Sequence, residues 1–343
     1  MTTFTSPEFS AHEHVSFLHD RSTGLRAIIA IHRVGPKGCG GGIRMWPYPR
    51  EEDAVADALR LSRAMSYKFA MAGIPIGGGK SVIIGDPATD KTDALMESFG
   101  RAVERINTLY ICGPDVGTAS EDMVAVRRGT PNVRGLPDET GDTSPATGFG
   151  IYRAMKAAAK QAFGSDDLGG RSVAVQGTGH VGQALLRHLR DEGARLFIAD
   201  VDPGAVGAAA ERFGAEVVPP DEILFRTVDI VAPCALGGVV NDESLPRLDC
   251  RVICGGANNQ LAEPRHGAAL HERGILFVPD YIANAGGAIH ATQAGDLLSP
   301  EDALEHVAAI YDTCLRVFAR SESDGIPVAD AADRLAEEVM ESW

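Results

Sequence analysis

Three residue patterns in this sequence could do chemistry. The first is IPIGGGKSVIIGD, Ile74 to Asp86. A glycine run followed by lysine and serine suggests a loop whose backbone N–H groups cradle a triphosphate. That loop requires G-x-x-x-x-G-K-[ST]. The first glycine would have to stand at Ile74, and Gly73 is one place too early. Such a loop also leaves a strand and opens a helix. Here Ser81 to Ile84 reads as a strand, and the helical pattern lies upstream. The triphosphate reading fails on register and context, and Lys80 still needs an explanation.

The second pattern is GTGHVG, which runs Gly177, Thr178, Gly179, His180, Val181, Gly182. It follows an apolar strand pattern and opens a helical one. In this arrangement the first glycine permits a tight turn and the second lets backbone approach a pyrophosphate. The third lets helix and strand pack closely. The helix N-terminus adds N–H groups and positive dipole. Asp200 ends the next strand, 23 residues after Gly177. An acid there accepts hydrogen bonds from ribose hydroxyls. Val201 and Asp202 follow, with no base. A 2′-phosphate would meet two carboxylates, so the expected cofactor is NAD and not NADP. Asp202 sits further past the strand end and is the weaker ribose partner.

The third pattern is a set of charges in the first part of the chain: Lys68, Lys80 and Asp115. Lys68 lies among Met65, Tyr67, Phe69 and Met71, and Lys80 lies between glycines and a buried-looking strand. Asp115 follows Gly113 and Pro114 at a strand end. Lysines are usually surface charges. A lysine in apolar surroundings has a lowered pKa and can move protons near neutral pH. The glycines before Lys80 are expected to clear space for a substrate and a nicotinamide ring.

These residues need a scaffold. Leu25 to Ile31 reads as a strand, Glu51 to Lys68 as an amphipathic helix, and Ser81 to Ile84 as a strand. Thr92 to Ile106 reads as a helix, Leu109 to Cys112 as a strand, and Glu121 to Arg127 as a short helix. Thr130 to Thr147 is rich in Gly, Pro, Thr and Asp and is the candidate linker. Gly148 to Phe163 is helical. From Arg171 the pattern alternates: strands at Arg171 to Gln176 and Arg195 to Ala199 flank a helix at Val181 to Glu192. Further strand-like runs are Ala215 to Val218, Val228 to Ala232, Arg251 to Cys254 and Ile275 to Val278. Such alternation implies an α/β fold with a parallel sheet covered on both faces. The tail, Pro300 to Trp343, is helical. The expected domains are residues 1–143 and 144–325, with a last helix, 326–343, that can pack back on the first.

Composition narrows the function classes. The chain has 343 residues, 44% hydrophobic and 23% charged, an ordinary globular balance. Its formal net charge of −15 argues against a nucleic-acid partner. Six scattered cysteines without a CxxC pair suggest reduced thiols, not a disulfide framework or a metal site. No signal peptide and no membrane-length apolar run is seen, so a soluble cytoplasmic protein without a membrane partner is expected.

The ordered segments GGIRMWPY, ALRLSRAMSYK, IPIGGGKSVIIGDP, GPDVGT, IVAPCALGG, GGANNQL and PDYIANAGGAIH, with the dinucleotide turn, carry a resemblance over nearly the whole chain. The sequence resembles the glutamate, leucine, phenylalanine and valine dehydrogenase superfamily, most of all its leucine, valine and phenylalanine members. The resemblance implies an N-terminal α/β substrate and oligomerisation domain, a Rossmann-like NAD-binding domain, and a cleft between them. It implies reversible oxidative deamination of an L-amino acid to a 2-oxo acid and ammonia, in a homo-oligomer. By the same resemblance Lys68 binds the substrate carboxylate, Lys80 activates a water or polarises the carbonyl, and Asp115 transfers protons. Thr147 and Asn258 are implied at the nicotinamide or substrate end, and Gly41 and Met65 beside the substrate.

Gly40, Gly113, Ala288 and Ala291 line the implied side-chain pocket, and each is smaller than the residue aliphatic-specific members carry. A smaller lining favours a bulkier side chain, unless neighbours refill the space. Branched aliphatic and aromatic substrates both remain open. An acidic one is disfavoured, because the pocket segments offer no extra lysine. The alternative function is a Rossmann-type NAD sensor without turnover, which would not need Lys68, Lys80 and Asp115.

Overall fold

The apolar run Leu25–Ile31 and the β-branched run after Lys80 lie in one sheet of the computed structural model, which describes residues 3–106, 110–137, 139, 141–295 and 298–343. The chain divides into two compact units. The first takes Met1–Gly141, Ala291–Leu297 and Ala336–Trp343, and the second takes Asp142–His290 and Leu298–Leu335. Among the described residues no helix is long and apolar enough to cross a membrane.

The first unit contains β1 (His14–Asp20), β2 (Leu25–Ile31), β3 (Cys39–Trp46), α1 (Glu51–Met71), β4 (Gly77–Ile84), α2 (Asp93–Ile106), β5 (Tyr110–Pro114) and α3 (Ser120–Gly129). The strand order is β1-β2-β4-β3-β5. β2 pairs antiparallel with β1 and β4, whereas β3 pairs parallel with β4 and β5. Alternation along the strands sorts the two faces. Ile28, Ala30 and Val82 pack on Ala54, Ala58 and Leu59 of α1. Ala27, Ile29, Ile31 and Ile83 pack with Leu95 and Phe99 of α2 and Met123 and Val126 of α3. Burying each large apolar side chain stabilises the fold by about 1.5–3 kcal/mol. Both faces therefore oppose a slip in register, and a one-residue slip would turn Lys80 away from α1.

The second unit begins with α4 (Ser144–Phe163), β6 (Ser172–Gln176), α5 (His180–Asp191), β7 (Arg195–Ala199), α6 (Pro203–Phe213) and β8 (Glu216–Val217). It continues with β9 (Ile230–Pro233), β10 (Val252–Ile253), α7 (Arg265–Glu272), β11 (Leu276–Phe277), α8 (Asp280–Ala283), α9 (Gly286–Ala291), α10 (Pro300–Ala308) and α11 (Ile310–Asp324). α12 (Val328–Glu341) starts in the second unit and ends in the first. The sheet is parallel, in the order β11-β10-β9-β6-β7-β8. The chain runs outward from β6 to β8, then returns to β9 beside β6. That reversal opens a crevice at the carboxyl ends of β6 and β9, where doubly wound sheets hold nucleotides.

The structure departs from the sequence expectation at several points. β1 and β3 are additional strands. β4 starts at Gly77, so the three glycines are strand and not loop. α4 starts at Ser144 with a proline in its first turn, which suits a helix start. The last residues of the expected linker are therefore helical. Leu109, expected in β5, lies outside the described residues. All six cysteines are free thiols, and Cys234 alone among them is not fully buried.

Candidate active site

α1 crosses the first sheet with its backbone against β4. Gly78 N–H donates to Ser66 Oγ at 2.9 Å. A Cβ on Gly78 would stand 2.0 Å from Ser66 N and 2.4 Å from Ser62 O. The flanking glycines are equally filled: a Cβ on Gly77 would stand 1.9 Å from Arg33 O, and one on Gly79 2.6 Å from the Tyr110 ring. This corrects the expectation that the glycines clear space for ligands. Their missing side chains let α1, the end of β2 and Tyr110 close on β4. Close packing in turn sets Lys68 of α1 beside Lys80.

Lys80 is 4% exposed. Its ammonium donates to Asp115 Oδ2. Burial pushes its pKa down to about 7, and the positive charges of Arg44 and Lys68 act in the same direction while Asp57 opposes. The paired carboxylate of Asp115 also favours the charged form. Lys68 itself is half-buried. Ser81, the next residue, points to the other face, where its hydroxyl lies 2.8 Å from Tyr110 Oη.

Asp115 follows the end of β5, and its carboxylate folds over Gly42. A Cβ on Gly42 would stand 2.7 Å from Asp115 Oδ2. The Asp115 backbone is pinned by Thr118: the Asp115 N–H donates to Thr118 Oγ1 at 3.0 Å, and that hydroxyl donates to Ile43 O at 2.8 Å. Arg44 Nη2 reaches Asp115 Oδ1 at 3.5 Å, and Arg44 Nη1 donates to Asp57 Oδ2 at 2.9 Å. Arg44 and Asp57 also line a cavity of about 430 Å³ with Trp46, Tyr48, Arg60 and Val116.

The small residues of the first unit differ in the room they leave. Gly40 is buried, and a Cβ there would lie 3.3 Å from Ile111 O and 3.8 Å from Ile76 Cδ1. Neighbours thus occupy part of that space. Gly113 is roomier, with Arg134 O at 3.5 Å. Gly41 admits no side chain, because a Cβ would stand 1.7 Å from Gly79 O. Met65 is half-buried on α1.

In the second unit the turn after β6 has the form its glycines require. Gly177 has φ +97°, in the region that favours glycine, and its α-carbon faces Cys234 and Ala235 after β9. A Cβ on Gly182 would stand 2.1 Å from Gly177 O, so α5 packs directly on the turn. Gly179 is different: nothing lies within 4 Å of where its Cβ would be. That open backbone, ahead of the first N–H groups of α5 at His180 and Val181, fits a pyrophosphate. Asp200 Oδ2 accepts from Thr178 N–H at 2.7 Å and from its hydroxyl at 3.1 Å. These bonds, the backbone one foremost, hold its carboxyl below the usual range. Asp202 is committed elsewhere, capping α6 through the N–H groups of Gly204 and Ala205.

The loop after β10 adjoins this turn: a Cβ on Gly256 would stand 2.7 Å from Ile151 Cδ1 and 3.0 Å from Val181 Cγ1. Asn258 follows, exposed, and its Oδ1 accepts from Asn284 Nδ2 at 2.7 Å. Thr147, one turn before Ile151, donates to Thr143 O at 3.0 Å and stands where a Cβ on Gly287 would meet its hydroxyl at 2.6 Å. Ala288 and Ala291 are half-buried on α9.

Sequence reasoning missed Arg44, Asp57, Gly42 and Asn284. Period-two alternation in CGGGIRMW would have placed Gly40, Gly42 and Arg44 on the face of Lys80, had that stretch been read as a strand. For Asp57, the helical pattern of α1 gives no sign that its carboxylate is committed.

Comparison with known proteins agrees with this geometry. A family described as "Glu/Leu/Phe/Val dehydrogenase, dimerisation domain" matches residues 11–132. A second, "Glutamate/Leucine/Phenylalanine/Valine dehydrogenase", matches 141–209 and 203–294. The chain is 48% identical to leucine dehydrogenase of Geobacillus stearothermophilus, over 100% of this chain and 94% of that protein. It is 41% identical to phenylalanine dehydrogenase of Caldalkalibacillus thermarum, over 99% and 94%. The crystal structure of L-tryptophan dehydrogenase from Nostoc punctiforme superposes with a TM-score of 0.86 at 42% identity, covering 97% of this chain and 96% of that one. With both family models matched in order and such identity along its full length, the chain belongs to the glutamate/leucine/phenylalanine/valine dehydrogenase family.

Proposed function

We propose that the chain catalyses the NAD-dependent, reversible oxidative deamination of a hydrophobic L-amino acid to its 2-oxo acid and ammonia. The observation that carries this reading is the buried Lys80 paired with the partly exposed Asp115, with Lys68 beside it. Burying an ammonium is costly, and a protein that only bound a nucleotide would have no use for it there. Lys68 holds the substrate α-carboxylate as a point charge. Lys80, whose pKa burial brings down to about 7, takes in its neutral form a proton from the water that adds to the α-carbon of the imine. Asp115 exchanges protons with the nitrogen that leaves as ammonia. NAD, when bound, supplies the acceptor for the hydride that leaves the α-carbon.

The turn Gly177 to Gly182 would hold the pyrophosphate of the dinucleotide and Asp200 its ribose hydroxyls. Asp200 and the lack of a base at Val201 and Asp202 favour NAD over NADP. Thr147 and Asn258 serve the nicotinamide or substrate end. Gly40, Gly41, Met65 and Gly113 of the first unit are the proposed lining for the substrate side chain, and Ala288 and Ala291 are further candidates for it. None is charged, and relatives named for leucine, phenylalanine and tryptophan favour a hydrophobic substrate. In this reading the first unit carries substrate binding and self-association, and the second carries the dinucleotide. The test is NADH formation from a panel of L-amino acids at alkaline pH. Turnover with leucine, valine, phenylalanine or tryptophan is expected. Binding of NAD without NADH from any amino acid would leave a sensor and reject the enzyme.

A further inference from the structure

Arg44 has no assigned role, yet it touches the carboxylate that pairs with Lys80. We infer that Arg44, braced by Asp57, is a positioning residue that anchors one oxygen of Asp115 so that the other faces Lys80. The inference rests on the amino acid dehydrogenase reading above.

The arrangement starts in the strand CGGGIR. Alternation puts Gly40, Gly42 and Arg44 of β3 on the α1 face of the sheet, the face that carries Lys80 on β4. Gly42 has no side chain, so the Asp115 carboxylate lies over it, between Lys80 and Arg44. Oδ2 meets Lys80, and Oδ1 meets Arg44 Nη2 at 3.5 Å and the Val116 N–H. Arg44 is itself fixed. Its other nitrogen donates to Asp57 Oδ2 at 2.9 Å, and Asp57 also accepts from Tyr48 Oη at 2.5 Å and Arg60 Nη2 at 2.8 Å. Burial opposes the Asp57 charge, but Tyr48, Arg44 and Arg60 outweigh it and keep its pKa low. The result is an alternating row: Lys80, Asp115, Arg44, Asp57.

Lys80 is thus faced by Asp115 after β5, Arg44 from β3, and Asp57 and Lys68 from α1, with the apolar Ala30 opposite it on β2. Arg44 disfavours the ammonium and Asp57 favours it. Removing either charge therefore moves the Lys80 titration, and in opposite directions. A salt bridge that only stiffened the fold would act on the same titration through space, so the positioning role is read from Arg44→Lys, in which kcat would return together with the limb if no two-pronged anchor were needed.

The test is the pH profile of kcat/KM for deamination of L-leucine by the full-length chain and its variants. Activity that needs neutral Lys80 rises with pH through its pKa. Arg44→Gln is expected to move that ascending limb up, and Asp57→Asn to move it down, each by about 0.5–2 pH units. Arg44→Lys should restore the position of the limb but not full kcat, since one ammonium cannot hold Asp115 and Asp57 in the two-pronged way of a guanidinium. Limbs that stay put, or move the same way, overturn the inference. Should the wild type form no NADH from L-leucine or any other amino acid, the proposed function fails instead. The titration is then read without turnover, from the pH dependence of Lys80 trinitrophenylation quantified by peptide mass. The same opposite shifts are expected there, and their absence overturns the inference. If Arg44→Gln does not fold, Asp57→Asn decides alone: a downward shift supports the inference, and an unmoved or raised limb overturns it.

Discussion

Gly78 and Ser66 join the strand that carries Lys80 to the helix that carries Lys68. The Gly78 N–H donates to Ser66 Oγ at 2.9 Å, and the backbones are so close that a Cβ on Gly78 would stand 2.0 Å from Ser66 N. Both partners are backbone or short side chain, so neither can yield. Gly78→Ala is expected to push α1 off β4, at a cost of about 1–3 kcal/mol or more. The urea midpoint should fall, and activity should fall further than stability, because the two lysines separate. A variant with wild-type stability and kinetics would show that the seam tolerates a side chain. Gly113→Ala, with 3.5 Å to its nearest neighbour, is the matched control and should fold normally.

The two lysines should fail in different ways. Lys80→Ala removes the proton-transfer group and is expected to lower kcat by roughly 10²- to 10⁴-fold. Lys68→Ala removes a charged partner of the substrate carboxylate, so KM should rise about 10- to 100-fold with a smaller change in kcat. Steady-state kinetics with the best amino acid of the panel separates the two. Near-normal kinetics in both variants would remove them from the mechanism.

Asp200 does two things at once. It presents a carboxylate at the end of β7 and accepts the Thr178 N–H of the glycine turn at 2.7 Å. Asp200→Ser should lower the ratio of kcat/KM for NAD over NADP, by about tenfold or more, since the repulsion of a 2′-phosphate is gone. It should also cost about 1–3 kcal/mol if the Thr178 N–H finds no new acceptor. Comparing the two cofactors in one variant separates these effects, because a looser turn weakens both alike. An unchanged ratio would argue against Asp200 as the ribose partner.

His32 couples stability to acid. It is 5% exposed, and burial first, then the charges of His12, Arg33 and Arg63, push its pKa down to about 3. The unfolded chain keeps the ordinary value of 6.5. Between those values the unfolded state binds more protons, so stability is complete above the unfolded pKa and is lost as pH falls through this window. The loss is expected at up to about 1.4 kcal/mol per pH unit. His32→Phe should flatten this slope in urea titrations run between about pH 7.5 and pH 5. Equal slopes in wild type and variant would assign the acid loss to other groups.

Some elements were legible because one force dominated. Leu25–Ile31 and Arg195–Ala199 coincide with the strands read from sequence, since the apolar runs Ala27 to Ile31 and Leu196 to Ala199 within them are buried on both faces. β1 and β3 were not legible. β1 is an edge strand whose residues are partly or fully exposed, and its histidines and aspartate do not read as a strand. β3 and the start of β4 are built on glycines, which disfavour strands locally. They are held there by pairing with each other and with β2 and β5, a tertiary effect that overrides propensity. Lys80 and Asp115 stood out because charge next to glycine, proline and apolar runs is unusual. Arg44 did not, because its meaning comes from Gly42 and Asp57, which reach it through the fold.

α12 carries a consequence for how the chain is made. Residues 336–343 belong to the first unit, where Glu337 accepts from Tyr67 Oη at 2.8 Å and Met340 is buried. A growing chain releases its N-terminal part first, and domains fold as units when their residues are present. The first unit nevertheless lacks a packed piece until residues 336–343 leave the ribosome. The second unit has everything it needs once Leu335 has emerged. The unit whose first residues are made earliest is therefore completed after its neighbour.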